Sequence, residues 1–102
     1  MVRERENKKT KYIEEVFTTE DAHLKAIRAE LNRDGKEGIN VGPSEGKLLH
    51  LLVKMIRAKT VVEVGTLYGY SALWMARALP EDGKIFCLEK DPVNFKKSSE
   101  LL

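Results

Sequence analysis

The spacing of apolar positions changes near Thr60. Upstream they recur at helical intervals; downstream they form short β-branched blocks separated by glycine turns. Residues Asn7 to Phe17 predict a short amphipathic helix with Tyr12, Ile13, Val16 and Phe17 on one side. Thr18-Thr19-Glu20-Asp21 reads as a break and restart, where a threonine oxygen caps the next helix and the acids suit its positive end. That second helix carries Leu24, Ile27 and Leu31 on one stripe and ends between Asn32 and Gly35. Asp34 to Gly38 is loop by composition. A third helix is predicted from Pro43 or Ser44 to Arg57. Lys47, His50, Lys54 and Arg57 make one solvated stripe on it, and leucines, Val53, Met55 and Ile56 fill the rest. Burial over most of its circumference is therefore expected. His50 sits on the wet stripe, His23 has no metal partner at helical spacing, and both read as surface histidines.

Thr60 to Val64 is β-branched and nearly continuously apolar, the pattern of a strand buried on both faces. Gly65 to Gly69 is a turn, Tyr70 to Leu79 a helix ended by Pro80 and Asp82-Gly83, and Lys84 to Leu88 a second strand. Asp91-Pro92 opens a further helix, with proline at its first position. Strand, helix, strand, helix makes a βαβ unit with an expected right-handed crossover. No internal repeat or low-complexity segment interrupts it.

Composition adds three constraints. With 102 residues, 33% charged and 42% hydrophobic, the chain fits one small globular domain rather than a disordered one. The net charge is only +2, and Glu4 and Glu6 interrupt the basic cluster Arg3, Arg5, Lys8, Lys9 and Lys11. A solvated terminus is expected there, with no nucleic-acid partner. The lone Cys87 excludes an internal disulfide, suits a reducing compartment, and lies in an apolar run as a small buried thiol. No apolar signal core opens the chain, and no stretch approaches the roughly 20 apolar residues of a membrane span. A cytoplasmic protein without a membrane partner is expected.

In an open parallel sheet, ligands sit beyond the carboxyl ends of the strands. Glu63 falls at one such end and Glu89 at the other, with Glu63-Val64-Gly65-Thr66-Leu67-Tyr68-Gly69-Tyr70-Ser71 between them. Gly65 lets the chain leave the strand sharply and lets a ligand touch the backbone, while Gly69 lets the next helix start close to the sheet. Ser71 offers a hydroxyl as well as an N–H. Glu89 follows the glycine loop at about the 20-residue interval where such folds place an acid on ribose hydroxyls. The G-x-G-x-x-G of dinucleotide sites is absent, which disfavours a nicotinamide-dependent dehydrogenase. The pattern here is E-x-G-x-x-x-G, with an acid leading into the turn. That suits a phosphate-free ligand with cationic groups, and S-adenosylmethionine, with its sulfonium and amino groups, fits.

The segment from Val62 to Leu73, VEVGTLYGYSAL, resembles motif I of the metal-dependent O-methyltransferases, which include caffeoyl-CoA and catechol O-methyltransferases. INVGPSEGKLL from Ile39 and ALPEDGK from Ala78 match the same family in order and spacing. The resemblance implies an α/β, Rossmann-like class I methyltransferase fold. This chain would carry its N-terminal helices (residues 1–38) and the first β-α-β-α unit of a mainly parallel sheet (residues 39–102). It implies that Glu63, Gly65, Gly69, Tyr70 and Ser71 line the methionine part of S-adenosylmethionine. Glu89 would hold the ribose, and Lys90, through its backbone more than its charge, would lie beside the adenosine. Val41 and Gly42 would wall the methyl-donor end, with Ile39 at the substrate entrance. Tyr70 stands between cofactor contact and packing; Trp74 reads as packing, and Thr66 and Tyr68 as loop fillers.

The implied reaction is methyl transfer to a hydroxyl of a small, catechol-like acceptor held at a Mg-like divalent metal. Family members are longer, and their metal-binding and catalytic Asp and Asn residues come from later strands. None of those positions exists in these 102 residues. A non-catalytic fragment or remnant is thus the competing reading. Family members are often dimers, and the N-terminal helices are the candidate surface for a homodimer.

Overall fold

The computed structural model describes residues 8–102. The expected helix start at Asn7 and the basic side chains of Arg3 and Arg5 lie outside the described residues. The elements are α1 (Lys8–Phe17), α2 (Ala22–Arg33), a single 3-10 turn (Glu37–Ile39), α3 (Pro43–Met55), β1 (Thr60–Val64), α4 (Tyr70–Ala76), β2 (Lys84–Leu88) and α5 (Pro92–Leu101). β1 and β2 pair in parallel, with Glu63 opposite Cys87 and Val64 opposite Leu88. The Gly65 N–H extends the ladder by donating to the Leu88 carbonyl at 2.8 Å. Both strands therefore end side by side, and the glycine loop leaves from that edge.

The stripe expected on α2 is fully buried: Leu24, Ile27 and Leu31 form one core with Tyr68, Tyr70 and Trp74. Asp21, not a threonine, caps this helix, accepting from the Leu24 N–H at 3.0 Å. A carboxylate is the stronger acceptor toward the orphan N–H groups of a first turn. The same carboxylate pairs with Arg77, just past α4, at 2.6 Å. Asp21→Ala is expected to lower stability modestly through loss of the cap, measured as a shift in the urea midpoint at unchanged slope. An unchanged midpoint would show that the cap contributes nothing.

Four expectations are corrected here. α3 is not buried over most of its circumference: Pro43, Gly46 and Val53 are buried, whereas Leu48, Leu51, Leu52, Met55 and Ile56 are exposed. Among the described residues α3 packs against α1 and α4 only along narrow seams, so most of its apolar side chains find no cover. β1 is likewise not buried on both faces. Val61 and Glu63 face the half-buried side, while Val62, Val64, Phe86 and Leu88 share an exposed apolar face of the two-stranded sheet. α4 stops at Ala76 rather than Leu79, because Ala78 and Leu79 donate to carbonyls three residues back, the tighter winding of a fraying helix end.

Fourth, neither histidine is a free surface group. The His50 ring lies edge-on to Trp74, with Nδ1 2.9 Å from the Trp74 carbonyl oxygen. His23 Nε2 lies 2.6 Å from the Leu101 carbonyl oxygen, tying α2 to the end of α5. Trp74 itself is a packing residue, and a Cβ at Gly46 would come within 2.2 Å of its indole ring. No helix among the described residues is long and apolar enough to cross a membrane.

Candidate functional site

The candidate polar groups of the site stem from the end of β1 (Glu63), the first turn of α4 (Ser71) and the residues just after β2 (Glu89 and Lys90), around the loop that joins β1 to α4. The loop holds three positive φ angles in a row of alternate residues: Gly65 at 84°, Leu67 at 57° and Gly69 at 92°. Two are glycines, which adopt them freely; Leu67 does so against its Cβ. Its N–H donates to Glu89 Oε1 at 2.7 Å, so the strained residue is tied to the second strand's acid. Glu89 Oε2 accepts from the Asp91 N–H at 3.1 Å, and Asp91 in turn caps α5 through Val93 and Asn94. Each carboxylate oxygen has further lone pairs, so Glu89 retains capacity for ligand hydroxyls.

Glu63 is half-buried on the covered face of the sheet. One oxygen accepts a hydrogen bond from the Ser71 hydroxyl. The other, Oε1, is buried and finds no hydrogen-bond partner among the described residues. Burial pushes the Glu63 carboxyl above its usual range, the Ser71 and Thr66 hydroxyls pull it back, and the charge of Glu89 adds to the rise. The two acids therefore sense one another at one end of the sheet. A buried carboxylate oxygen without a donor is costly and calls for a cationic or N–H-bearing visitor.

Beside them opens a cleft of about 470 Å³ lined by Val64, Gly65, Cys87, Leu88, Glu89, Lys90 and Phe95. A Cβ built on Gly65 would meet nothing within 4 Å, so its backbone faces free space. The structure thus brings Gly65, Glu89 and Lys90 to one cleft and joins Glu63 to Ser71 next to it. Gly69, in the left-handed conformation, caps α4, and a Cβ there would come within 2.7 Å of the Leu102 side chain.

Four further candidates take the following places in the structure. Tyr70 is fully buried in the core, its hydroxyl donating to Glu20 Oε2 at 2.6 Å, which leaves only its main chain for a ligand. Val41 packs against the core, and buried Gly42 starts α3, its N–H donating to Glu45 Oε1 at 3.0 Å. Ile39 is exposed.

Sequence reasoning also missed several groups. Phe95, in the first turn of α5, walls the cleft; an aromatic shortly after the strand-end acid was the available signal. Thr66 is buried, its hydroxyl acting on the Glu63 carboxyl and the Cys87 thiol and lowering both, and Tyr68 is buried rather than a loop filler. Cys87 lines the cleft from the half-buried face, and burial pushes its thiol up, away from the reactive range. No group of three or more His, Cys, Asp or Glu side chains among the described residues could hold a metal ion.

Comparison with known proteins follows the same outline. A family model described as O-methyltransferase matches residues 14–101. A catechol O-methyltransferase of Niastella koreensis is 46% identical over 81 residues, covering 79% of this chain and 37% of the relative. A caffeoyl-CoA O-methyltransferase of Zinnia elegans is 38% identical over 81 residues, covering 79% of this chain and 33% of that protein. Among solved structures, an O-methyltransferase of Streptomyces achromogenes involved in tomaymycin synthesis, in complex with SAM, superposes with a TM-score of 0.87 at 32% identity. That match covers 100% of this chain and 46% of the other. A Bacillus cereus O-methyltransferase in complex with SAH gives 0.82 at 30% identity, covering 89% of this chain and 41% of that one. The chain thus spans less than half the length of these relatives. By a family match over most of its length and by the shared fold of the glycine-loop edge, it belongs to the O-methyltransferase family.

Proposed function

We propose that these residues form the cofactor-binding half of an S-adenosylmethionine-dependent O-methyltransferase acting in the cytoplasm on a small, catechol-like hydroxyl acceptor. The observation that carries the reading is the half-satisfied Glu63 carboxylate beside the open backbone of Gly65. The solved relatives from Streptomyces achromogenes and Bacillus cereus, in complex with SAM and SAH, support the choice of ligand. When bound, the cofactor supplies an electrophilic methyl group on a sulfonium.

The chain's own residues do the rest of the holding. Glu63 offers its free oxygen to the amino group, and Ser71 fixes the carboxylate's orientation. Glu89 accepts from ribose hydroxyls without releasing the Leu67 N–H. Leu88 and Phe95 give the adenine apolar walls, with the Lys90 backbone at the rim. Gly65 keeps the approach open, Gly69 and the Tyr70 main chain shape the turn, and Val41 and Gly42 stand toward the methyl-donor end. The side chains described here do not fit a divalent metal, and no step is derived through one. In this reading residues 8–38 belong to an N-terminal helical segment and residues 39–102 to the first part of the cofactor domain. The exposed Tyr12, Val16 and Phe17 of α1 offer a homodimer contact.

The exposed sheet face of Val62, Val64, Phe86 and Leu88 favours a second statement: these 102 residues alone bind the cofactor weakly and transfer no methyl group. Two parallel strands with an open edge and a bare face are poorly stable and prone to associate. The working protein is then longer, or completes its sheet with another chain. Titration of S-adenosylmethionine into the polypeptide, followed by the amide resonances of Gly65, Leu67 and Glu89, tests both statements. Shifts confined to those residues at millimolar ligand are expected. Absence of any shift removes the cofactor reading. Micromolar binding by a monodisperse monomer removes the need for completion. Methylation of a catechol by this chain with added Mg²⁺ removes the alternative of a non-catalytic remnant.

A further inference from the structure

Two side chains of the glycine loop turn away from the ligand side and meet opposite ends of one helix. The Tyr68 hydroxyl donates to Asp34, the C-cap of α2, and the Tyr70 hydroxyl donates at 2.6 Å to Glu20, just before its N-cap. Both rings are buried, at 1% and 0% exposure, against Leu24, Ile27 and Leu31 of that helix. α2 has 12 residues and so is about 18 Å long, enough to underlie the loop from end to end.

Each anchor is itself held. The Glu20 side chain is only 6% exposed, and Arg28 grips it through Nε at 3.0 Å and through NH2 at 2.6 Å. Arg28 also reaches Glu37 at 3.4 Å, in the turn that leads to Val41 and Gly42. At the other end, Lys36 lies 5.2 Å and Lys97 6.0 Å from the centre of the Tyr68 ring, and Lys97 bonds Glu30 of α2 at 3.0 Å. A bidentate arginine on a buried carboxylate fixes that carboxylate's geometry. The hydrogen bond to Asp34 pushes the Tyr68 phenol up to about 12, so it stays a donor at neutral pH.

Between these two tyrosines and the strand lies the strained Leu67, at φ 57°. A non-glycine residue persists in that region only when its surroundings over-determine it. Its own N–H bond to Glu89 is one restraint; the neighbouring phenols are the others.

We propose that Tyr68 and Tyr70 are positioning residues, whose hydrogen bonds to Asp34 and Glu20 make α2 a brace that holds the glycine loop in its binding conformation before any ligand arrives. The proposal rests on the cofactor reading of the loop only for its consequence, since the brace itself is a property of the free chain. Preorganisation of this kind removes the ordering cost that binding would otherwise carry.

The test uses Tyr68→Phe, Tyr70→Phe and the double variant, which keep the buried rings and remove only the hydroxyls. Amide exchange is read at Leu67 and Gly69 and, as an internal standard, in β1 and β2. In the double variant, exchange at Leu67 and Gly69 is expected to rise about 10-fold or more while the strand amides change little. Adding Glu20→Ala, which removes the acceptor, to Tyr70→Phe should then have less effect on the loop than Glu20→Ala alone, because the shared bond is already gone. Unchanged loop exchange overturns the brace, as does a uniform rise in loop and strands alike, which would mark the hydroxyls as merely structural. S-adenosylmethionine binding, followed in parallel, should weaken about 10-fold in the double variant. A parent chain whose loop resonances ignore the cofactor sinks the ligand assignment but leaves the exchange result to decide the brace.

Discussion

Glu63→Gln is expected to weaken S-adenosylmethionine binding by about 10- to 100-fold, the loss of a charge-assisted contact of roughly 1.5–3 kcal/mol. The same substitution should leave the free chain at least as stable as the parent. In the free chain the Glu63 carboxylate is half-buried with one oxygen unpartnered, so its charge is a liability to the fold. The neutral amide removes that charge and still accepts from Ser71 through its carbonyl oxygen. Opposite signs for binding and stability separate a ligand-holding carboxylate from a structural one. Equal losses in both would mean that Glu63 serves the fold.

The pH dependence follows from the same burial. A raised carboxyl pKa means that the folded chain prefers the proton. The stabilisation is therefore complete below the unfolded value, near 4.5, and is lost as pH rises through the folded value. A cationic ligand favours the opposite form, so its affinity should fall as pH drops through that same interval. Asp21 and Asp34 act in the reverse sense. The Leu24 N–H holds the first, and the Tyr68 hydroxyl the second, below the usual value. Their stabilisation is present above about pH 4 and disappears as acid titrates the folded forms. Binding measured from about pH 4.5 upward should rise to a plateau in the parent and be flatter in Glu63→Gln. An equal slope in both chains would move the titrating group elsewhere.

Gly46→Ala is expected to destabilise the chain by about 3 kcal/mol, near the upper end for overpacked cores. The added methyl would come within 2.2 Å of the Trp74 indole, a rigid ring that is only 6% exposed and has His50 against its edge. Helix propensity acts the other way, since alanine is favoured over glycine by about 1 kcal/mol in a helix interior. The clash should prevail, because α3 and α4 touch here and neither can retreat without breaking the His50 contact to the Trp74 carbonyl. Urea unfolding followed by Trp74 fluorescence measures it, with a red-shifted native spectrum as the accompanying sign. A midpoint at or above the parent's would show that the two helices separate freely.

Local chemistry explains why some of the site was legible and some not. Glu63 and Glu89 could be placed from the chain alone because strand-end position depends on a short β-branched run and the glycine that ends it. The three- and four-residue spacing of Leu24, Ile27 and Leu31 likewise declares a buried stripe before any partner is known. Tyr70 shows the limit. Its place beside the glycine loop is a matter of sequence, but its side chain follows Glu20, 50 residues earlier. Tyr68 behaves in the same way toward Asp34, 34 residues earlier. His50 was assigned to water from the polar stripe of its own helix, and a carbonyl at the far end of α4 drew it inward.

Apolar content misled in the other direction. Leu51, Leu52, Met55, Val62 and Phe86 are the residue types that favour burial, and their periods correctly marked a helix and two strands. Whether such a surface is covered depends on which other segments reach it, and residues 8–102 cover these only in part. Sequence by itself determined the order and type of the elements, the glycine turn, and the two acids at the strand ends. All of these arise from interactions within a few residues, where periodicity and steric freedom decide. Tertiary structure alone decided which apolar faces meet, which oxygen of Glu63 is left without a donor, and that the loop's tyrosines reach the two ends of α2. Those outcomes depend on contacts between distant segments, whose directions no local pattern encodes.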